Sequence, residues 1–241
     1  MKPERIDYEI TDSTNTRARE LARSRAAGDR TPAVITAVRQ TGGRGRLGRS
    51  FHSPEGGIYM SFLLYPTSSA ADSVSVTARA AVKVCRALSR FTDADIKIKW
   101  VNDLCLGGRK LAGILTEGEI HPDGSLAYLI CGIGLNLYRT ERPTELEHIA
   151  TSLEEECGVR LDREAVIRAI VEEMLSEEDG DVLGEYRRRS AVTGREITVV
   201  RGDASYPARA LRILDDYSLL VLKDNGERER IFTGEISIRL K

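Results

Sequence analysis

Apolar positions recur along this chain in two rhythms, and the switches between them outline its elements. Ala33-Val34-Ile35-Thr36-Ala37-Val38 and Ile58-Tyr59-Met60-Ser61-Phe62-Leu63-Leu64 are unbroken apolar runs rich in β-branched and aromatic residues, so both are expected as buried neighbouring strands. From Ser73 the spacing turns helical: Val74, Ala78, Ala81, Val82, Cys85 and Leu88 form a core stripe, with Arg79, Lys83 and Arg86 expected on the solvated side. An earlier helix, carrying Ala18, Leu21, Ala22 and Ala26 on one face, opens at Asp12-Ser13-Thr14-Asn15 after a short strand around Tyr8-Glu9-Ile10. Ile96-Lys97-Ile98-Lys99-Trp100 alternates like a half-buried strand and runs into a polar loop, Val101-Asn102-Asp103.

After a Gly107-Gly108 turn, residues 110–117 and 126–137 read as a meander turned at 121–124. Gly132 and Gly134 inside the second run mark a bulge or a close approach. Ser152 and Asp162 start two further helices, whose acidic residues are expected on solvated faces. Past Ser190–Gly194 the alternation returns in five short runs, 195–201, 206–213, 219–222, 229–233 and 236–239. Turn signals at Gly202-Asp203, Asp215-Asp216 and Asp224-Asn225-Gly226 separate them. The pattern predicts an α+β fold: a mixed sheet with flanking helices over residues 1–189, then a small SH3-like β-barrel over 190–241.

Composition narrows the class. The 241 residues are 41% hydrophobic and 30% charged with a formal net charge of -1, enough for a substantial core and too balanced for a general nucleic-acid or membrane-surface binder. Cys85, Cys105, Cys131 and Cys157 are scattered without a Cys-x-x-Cys pair, and His52, His121 and His148 form no metal-like cluster. The thiols are expected to be reduced and no resident metal is expected. No apolar run reaches membrane-spanning length, and the Met-Lys-Pro-Glu-Arg start lacks a signal-peptide core, so the expected location is the cytoplasm, with no membrane partner.

The stretch richest in chemistry is Gln40-Thr41-Gly42-Gly43-Arg44-Gly45-Arg46-Leu47-Gly48-Arg49, between the two apolar strands. Glycines admit close backbone approach and arginines offer forked permanent cations, a combination suited to an anionic ligand. Gly43-x-Gly45-x-x-Gly48 matches a dinucleotide fingerprint, and the same stretch resembles a phosphate-binding P-loop with arginine for lysine. Both motifs require a helix directly afterwards, whereas Ser50 to Gly57 is turn-rich and leads into a strand.

Five ordered motifs resemble the biotin protein ligases: Asp12-Ser13-Thr14-Asn15; Gln40 with the Gly43–Arg49 loop; Lys99-Trp100-Val101-Asn102-Asp103; Arg109-Lys110-Leu111-Ala112-Gly113-Ile114-Leu115; and Gly132-Ile133-Gly134-Leu135-Asn136. The resemblance covers nearly the whole chain and implies a class II aminoacyl-tRNA synthetase-like catalytic domain. The implied chemistry has two steps, in which ATP activates biotin to biotinyl-5'-AMP and a lysine of a biotin carboxyl carrier protein then takes the biotin. It implies that Lys110, Arg46 and Arg44 are catalytic, stabilising charge as the phosphate is transferred. It implies a biotin site of Ser13, Thr14, Asn15, Gln40, Gly43, Arg44, Gly45, Arg46, Lys110, Gly113, Gly132 and Gly134. It further implies an adenylate site of Arg44, Arg46, Arg49, Phe51, Asn102, Asp103, Lys110, Asn136 and Arg239, with Mg2+ accompanying ATP near Asn102 and Asp103.

Two positions depart from the family pattern: Val101 stands where proline is usual, and Phe51 where tryptophan is common. The nearest enzyme alternative is a lipoate or octanoyl ligase; from another class, a non-catalytic biotin or nucleotide sensor. The segment before Asp12 is too short for a helix-turn-helix module, so the monofunctional form, with no DNA partner, is expected. An exposed sheet edge would favour a homodimer.

Overall fold

The computed structural model describes residues 3–26, 28–65, 73–121, 125–178, 180–201, 204–232 and 235–238. Arg239, part of the run at 229–233, the tip of the turn at 121–124 and the turn at 202–203 lie outside the described residues.

Seven strands form the main sheet: β1 (Glu4–Thr11), β2 (Ala33–Gln40), β3 (Gly57–Leu64), β4 (Lys97–Lys99), β5 (Asp103–Leu106), β6 (Arg109–Ile120) and β7 (Leu126–Asn136), in the order β1-β2-β3-β7-β6-β5-β4. Only β1 and β2 run parallel, because α1 (Thr14–Ser24) carries the chain back between them; every other pair is antiparallel and joined through turns or longer returns. The sheet is therefore mixed, as the pattern predicts. β3 and β7 are in register along Gly57–Leu64, which sets Ser61 opposite Gly132 and Tyr59 opposite Gly134.

Both faces of the sheet are covered. On one, α1 packs Ala18 against Ile35, Leu63, Tyr128 and Ile130. On the other, α2 (Ser73–Leu88) lies between the sheet and α4 (Arg163–Leu175) and α5 (Val182–Arg188). That position corrects the one-sided reading of α2. Ala80, Val84 and Ala87 are buried as well as the predicted stripe, and Lys83 is only 8% exposed, its Nζ donating to the Ser176 carbonyl at 2.7 Å. A helix covered by two layers is apolar nearly all round, and Lys83 is tolerated because its ammonium caps the C-terminal end of α4. Burial lowers its pKa, helped by Arg79 and Arg86 and opposed by Glu173.

Two other elements differ from expectation. Asp103 is not loop but the first residue of β5, too short a strand to show its own periodicity, and α5 had no sequence signal separate from α4. α3 (Leu153–Cys157) and α4 start where predicted, with Ser152 accepting from the Glu155 amide and Asp162 from the Glu164 amide. The acidic residues of α3 are not simply solvated: Glu155 pairs with the buried Arg142 guanidinium, and Glu156 with Arg109 at 2.7 Å.

The C-terminal strands β8 (Glu196–Arg201), β9 (Ala204–Ile213), β10 (Leu219–Lys223), β11 (Arg228–Ile231) and β12 (Glu235–Ile238) form an antiparallel sheet in the order β11-β10-β9-β8-β12. Among the described residues β11 and β12 are its two edges, so the predicted barrel is a five-stranded sheet without a closing pair. Its apolar face continues the main core through Tyr186 and Tyr217, whose rings meet edge to face at 5.6 Å. Trp100 Nε1 donates to the Tyr217 carbonyl at 2.8 Å and the Tyr186 hydroxyl to the Val101 carbonyl at 3.1 Å, so the C-terminal part grips the β4–β5 turn. The Trp100–Val101 peptide there is cis. Among the described residues no helix is long and apolar enough to cross a membrane.

Candidate active site

The end of β2, the stretch that follows it, the first turn of α1, the β4–β5 turn and parts of β6 and β7 converge on one cleft. Its floor is a buried polar array. Gln40, the last residue of β2, accepts the Thr14 amide at 2.8 Å through Oε1 and donates from Nε2 to Ser53 Oγ at 3.0 Å. Ser13 is the residue before α1, yet its hydroxyl makes no capping bond and lines the cleft. Asn15 donates from Nδ2 to Glu117 at 2.7 Å, and Ser61, fully buried on β3, lies 2.6 Å from Asn15 Oδ1. Thr14, Asn15, Gln40 and Ser61 are tied to one another and to Ser53 and Glu117, so this part of the floor has its geometry set before any ligand arrives.

The glycines make room for it. A Cβ on Gly132 would fall 2.2 Å from Asn15 Oδ1, and one on Gly134 2.6 Å from the Phe51 ring. β7 keeps its register with β6 through both, so they serve close approach, not a bulge. Ile114, Leu115 and Ile133 complete the cleft with apolar surface, as ligand pockets usually require.

The rim is cationic. The stretch after Gln40 folds back as a narrow hairpin, rooted by Gly42 N on the Asp12 carbonyl at 2.8 Å, Gln40 N on the Ser53 carbonyl at 3.1 Å and Phe51 N on the Gly43 carbonyl at 2.9 Å. A short 3-10 turn at Arg46–Gly48 stands at its tip and no α-helix follows, which removes the dinucleotide and P-loop readings on geometry. Arg46 reaches across to Asn102 Oδ1 at 3.3 Å, Arg44 to Thr16 Oγ1 at 3.0 Å, and Lys110 Nζ to Asp103 Oδ1 at 2.8 Å with the Phe51 ring 5.8 Å away. Asn102 is held by its own Nδ2 on the Ile114 carbonyl at 2.8 Å. Lys110 has a fixed main chain, since its N–H donates to Ile149 at 2.7 Å and its carbonyl accepts from Thr151 at 2.9 Å.

Of the residues implied by the resemblance, Ser13, Thr14, Asn15, Gln40, Arg44, Gly45, Arg46, Phe51, Asn102, Lys110, Gly113, Gly132 and Gly134 all line this cleft. Gly43 lies behind it, where a Cβ would strike the Phe51 carbonyl and Ser53 Oγ at 2.4 Å. Asp103 takes part through Lys110, while Arg49 is exposed on the outer limb of the hairpin. Asn136 points away, its amide donating to the Thr151 carbonyl at 2.9 Å and so supporting the segment that clamps Lys110. Sequence reasoning missed Ser53, Ser61 and Glu117, which hold the floor residues without lining the cleft. A hydroxyl alone in the middle of an apolar strand was the available signal for Ser61.

Cysteine chemistry has no place here: burial pushes the Cys131 thiol up to about 12 and the Cys105 thiol to about 11, and the thiolate is the reactive form. Among the described residues no group of three or more His, Cys, Asp or Glu is placed to hold a metal ion. A hydrogen-bonding floor, apolar walls and a three-cation rim suit a small polar-headed molecule whose anionic end meets phosphate.

Known proteins are similar to this chain in sequence and fold. The profile of the Biotin/lipoate A/B protein ligase family matches residues 8–136. The Bifunctional ligase/repressor BirA of Bacillus subtilis (strain 168) is 30% identical over 97% of this chain and 73% of its own length. The Biotin--[acetyl-CoA-carboxylase] ligase of Paracoccus denitrificans is 35% identical over 64% of each chain. Among solved structures, biotin protein ligase from Aquifex aeolicus in complex with biotin and ATP superposes with a TM-score of 0.79 over 99% of both chains at 29% identity. With a family profile matched over more than half of the chain and a relative 30% identical over nearly all of it, this chain belongs to the biotin/lipoate A/B protein ligase family.

Proposed function

We propose that the cleft works as an ATP-dependent biotin protein ligase with its labour divided between floor and rim. In the first step a biotin carboxylate oxygen attacks the α-phosphorus of ATP; the bond to the bridging oxygen breaks, pyrophosphate leaves and biotinyl-5'-AMP remains. In the second, the ε-amine of a lysine on a biotin carboxyl carrier domain attacks the acyl carbon, and AMP leaves as the amide forms. The floor residues Ser13, Thr14 and Gln40 hold the ureido head, and Gly113, Gly132 and Gly134 let the acyl chain lie against the strands. Arg44, Arg46 and Lys110 meet the carboxylate and the phosphates, where charge stabilisation outweighs other contributions to phosphoryl transfer. Phe51 covers the adenylate.

The observation that carries this reading is the adjacency, in one cleft, of a neutral hydrogen-bonded floor and a cationic rim whose Lys110 pairs with Asp103 across 2.8 Å. A magnesium ion fits at Asp103 and Asn102, since magnesium carried on ATP needs only one or two protein oxygens. It would offset phosphate charge. Arg49 and Arg239 belong to the same reading as further nucleotide contacts, with residues 1–189 as catalytic domain and 190–241 as closing domain.

The partner is the carrier domain of a biotin-dependent carboxylase, in the cytoplasm, and the open β1 edge would serve a homodimer. Duplex DNA is not part of this reading: Lys223, Arg201 and Arg230 of the C-terminal sheet are each paired with an acid, which lowers the charge free for phosphate neutralisation. The test is incubation with ATP, Mg2+, biotin and a carrier domain, read by mass. One biotin added to one carrier lysine, with pyrophosphate released, is expected; transfer of octanoate or lipoate in preference to biotin would overturn the reading.

A further inference from the structure

A chain of hydrogen bonds runs beneath the cleft floor and ends on a charge. Glu117, on β6, pairs with Arg19 at 2.8 Å through Oε1 and accepts the Asn15 side-chain amide at 2.7 Å through Oε2. A carboxylate so placed only accepts, which obliges Asn15 to turn Nδ2 toward it and Oδ1 toward Ser61. Ser61 Oγ lies 2.6 Å from Asn15 Oδ1 and 2.7 Å from Thr14 Oγ1. An amide oxygen cannot donate, so the single Ser61 proton goes to Asn15. The Ser61–Thr14 contact is then a hydrogen bond only if Thr14 donates inward. The remaining neighbour of Thr14 Oγ1 is Gln40 Oε1 at 3.2 Å, another acceptor that already takes the Thr14 amide. In either direction the Thr14 proton is taken by a floor residue and not offered to a ligand.

Gln40 is oriented by the same logic. The Ser53 hydroxyl donates to the Phe51 carbonyl at 2.8 Å, so it accepts from Gln40 Nε2 and fixes Oε1 toward Thr14. The floor is thus a set of groups with one allowed polarity each. Its direction is decided at Glu117, outside the lining of the cleft.

We propose that Ser61 and Glu117 are positioning residues that commit Thr14 as a hydrogen-bond acceptor, so that the floor selects a ligand offering an N–H at that point. The inference rests on the biotin reading above, in which a ureido N–H meets Thr14 Oγ1. A cyclic carbamate analogue of biotin, with one ureido N–H replaced by a ring oxygen, would set lone pair against lone pair there. Sites built around a hydrogen bond reject the analogue lacking it far more strongly than apolar pockets reject a missing methylene.

The test measures dissociation constants for biotin and the two carbamate regioisomers by calorimetry, on the full chain and on Ser61→Ala, Glu117→Ala and Glu117→Gln. The parent should prefer biotin over one regioisomer by about a hundred-fold or more. Ser61→Ala should narrow that preference by about ten-fold, because the Thr14 proton then keeps only the longer 3.2 Å contact with Gln40 Oε1, an acceptor already shared with the Thr14 amide, and turns more readily to the ring oxygen. Glu117→Ala, which frees the Asn15 amide to turn over, should narrow it less, and Glu117→Gln, whose single oxygen must serve Asn15 or Arg19, should fall between the parent and Glu117→Ala. A purely structural role would weaken all three ligands alike; an unchanged preference in Ser61→Ala overturns the inference. So does a parent that binds biotin and both regioisomers equally. A parent that binds no biotin overturns the biotin reading along with it, and that result is separable because it precedes any comparison of ligands.

Discussion

The floor and the rim of the cleft are built on opposite principles. Ser13, Thr14 and Asn15, at the start of α1, are each 4% exposed and Ser61 on β3 is fully buried, with Gln40 closing β2. The rim hangs Arg44 and Arg46 on a hairpin whose residues are largely exposed, down to a Leu47 side chain 71% exposed on a left-handed backbone (φ 55). A hydrogen-bond array inside packed elements discriminates, because a misfit leaves buried polar groups unpaired. Cations on a loosely packed hairpin adapt, and they act most strongly where charge develops. Recognition is placed in packed elements, while two of the three rim cations sit on an exposed hairpin and the third, Lys110, on a clamped strand.

Lys110→Ala gives the sharpest test of that separation. Pyrophosphate release should fall by about 10²–10³-fold, while biotin affinity measured by calorimetry changes far less; equal losses in both would erase the distinction between floor and rim. Gln40→Ala attacks the other side. It strips the acceptor from the Thr14 amide and the donor from Ser53, so biotin should bind about ten- to a hundred-fold more weakly, with turnover at saturating biotin reduced by a smaller factor. A fall in turnover larger than the fall in affinity would move Gln40 to the rim's side of the comparison.

The smallest effect on activity should come from Arg142→Ala, which lies in neither region. The Arg142 guanidinium, donating to Glu155, holds that carboxyl down at about 2 against an ordinary 4.5, with Ser152 assisting and burial opposing. A depressed acid contributes stability that is present above its unfolded value and lost as pH falls toward the folded one. The variant should therefore melt earlier than the parent from about pH 5 upward, by roughly 1–3 kcal/mol, with the gap closing as the pH drops toward 2. A gap that persists at the acid end would place the effect in packing rather than in the ion pair.

Much of this was legible in the chain itself, for reasons that differ by element. β2 and β3 were readable because a strand buried on both faces must be apolar throughout, and the C-terminal strands because alternation survives in short runs. The cleft residues sat in ordered motifs whose spacing is constrained by chemistry. β5 was hidden because four residues hold no period, and the burial of Lys83 because a helix pattern shows the first layer that covers it, not the second. Glu117 escaped because its task is to orient other side chains, and such work leaves no local pattern. Ser61 left only a lone hydroxyl in an apolar run, and the register that sets it against Gly132, beside Asn15, shows what that hydroxyl is for.

The grip of Trp100 on the Tyr217 carbonyl bears on how the protein is made. The two residues are 117 positions apart in the chain, and synthesis proceeds at about 5–20 residues each second. For several seconds after the β4–β5 turn leaves the ribosome, its indole N–H has no acceptor of its own, and Asn102 sits in a turn held from one side only. The seven strands of the main sheet are all available by residue 136, so the scaffold is complete well before the last clasp arrives. The cleft is thus finished from the tail of the chain, late in translation, when Tyr217 closes over a turn that was made first.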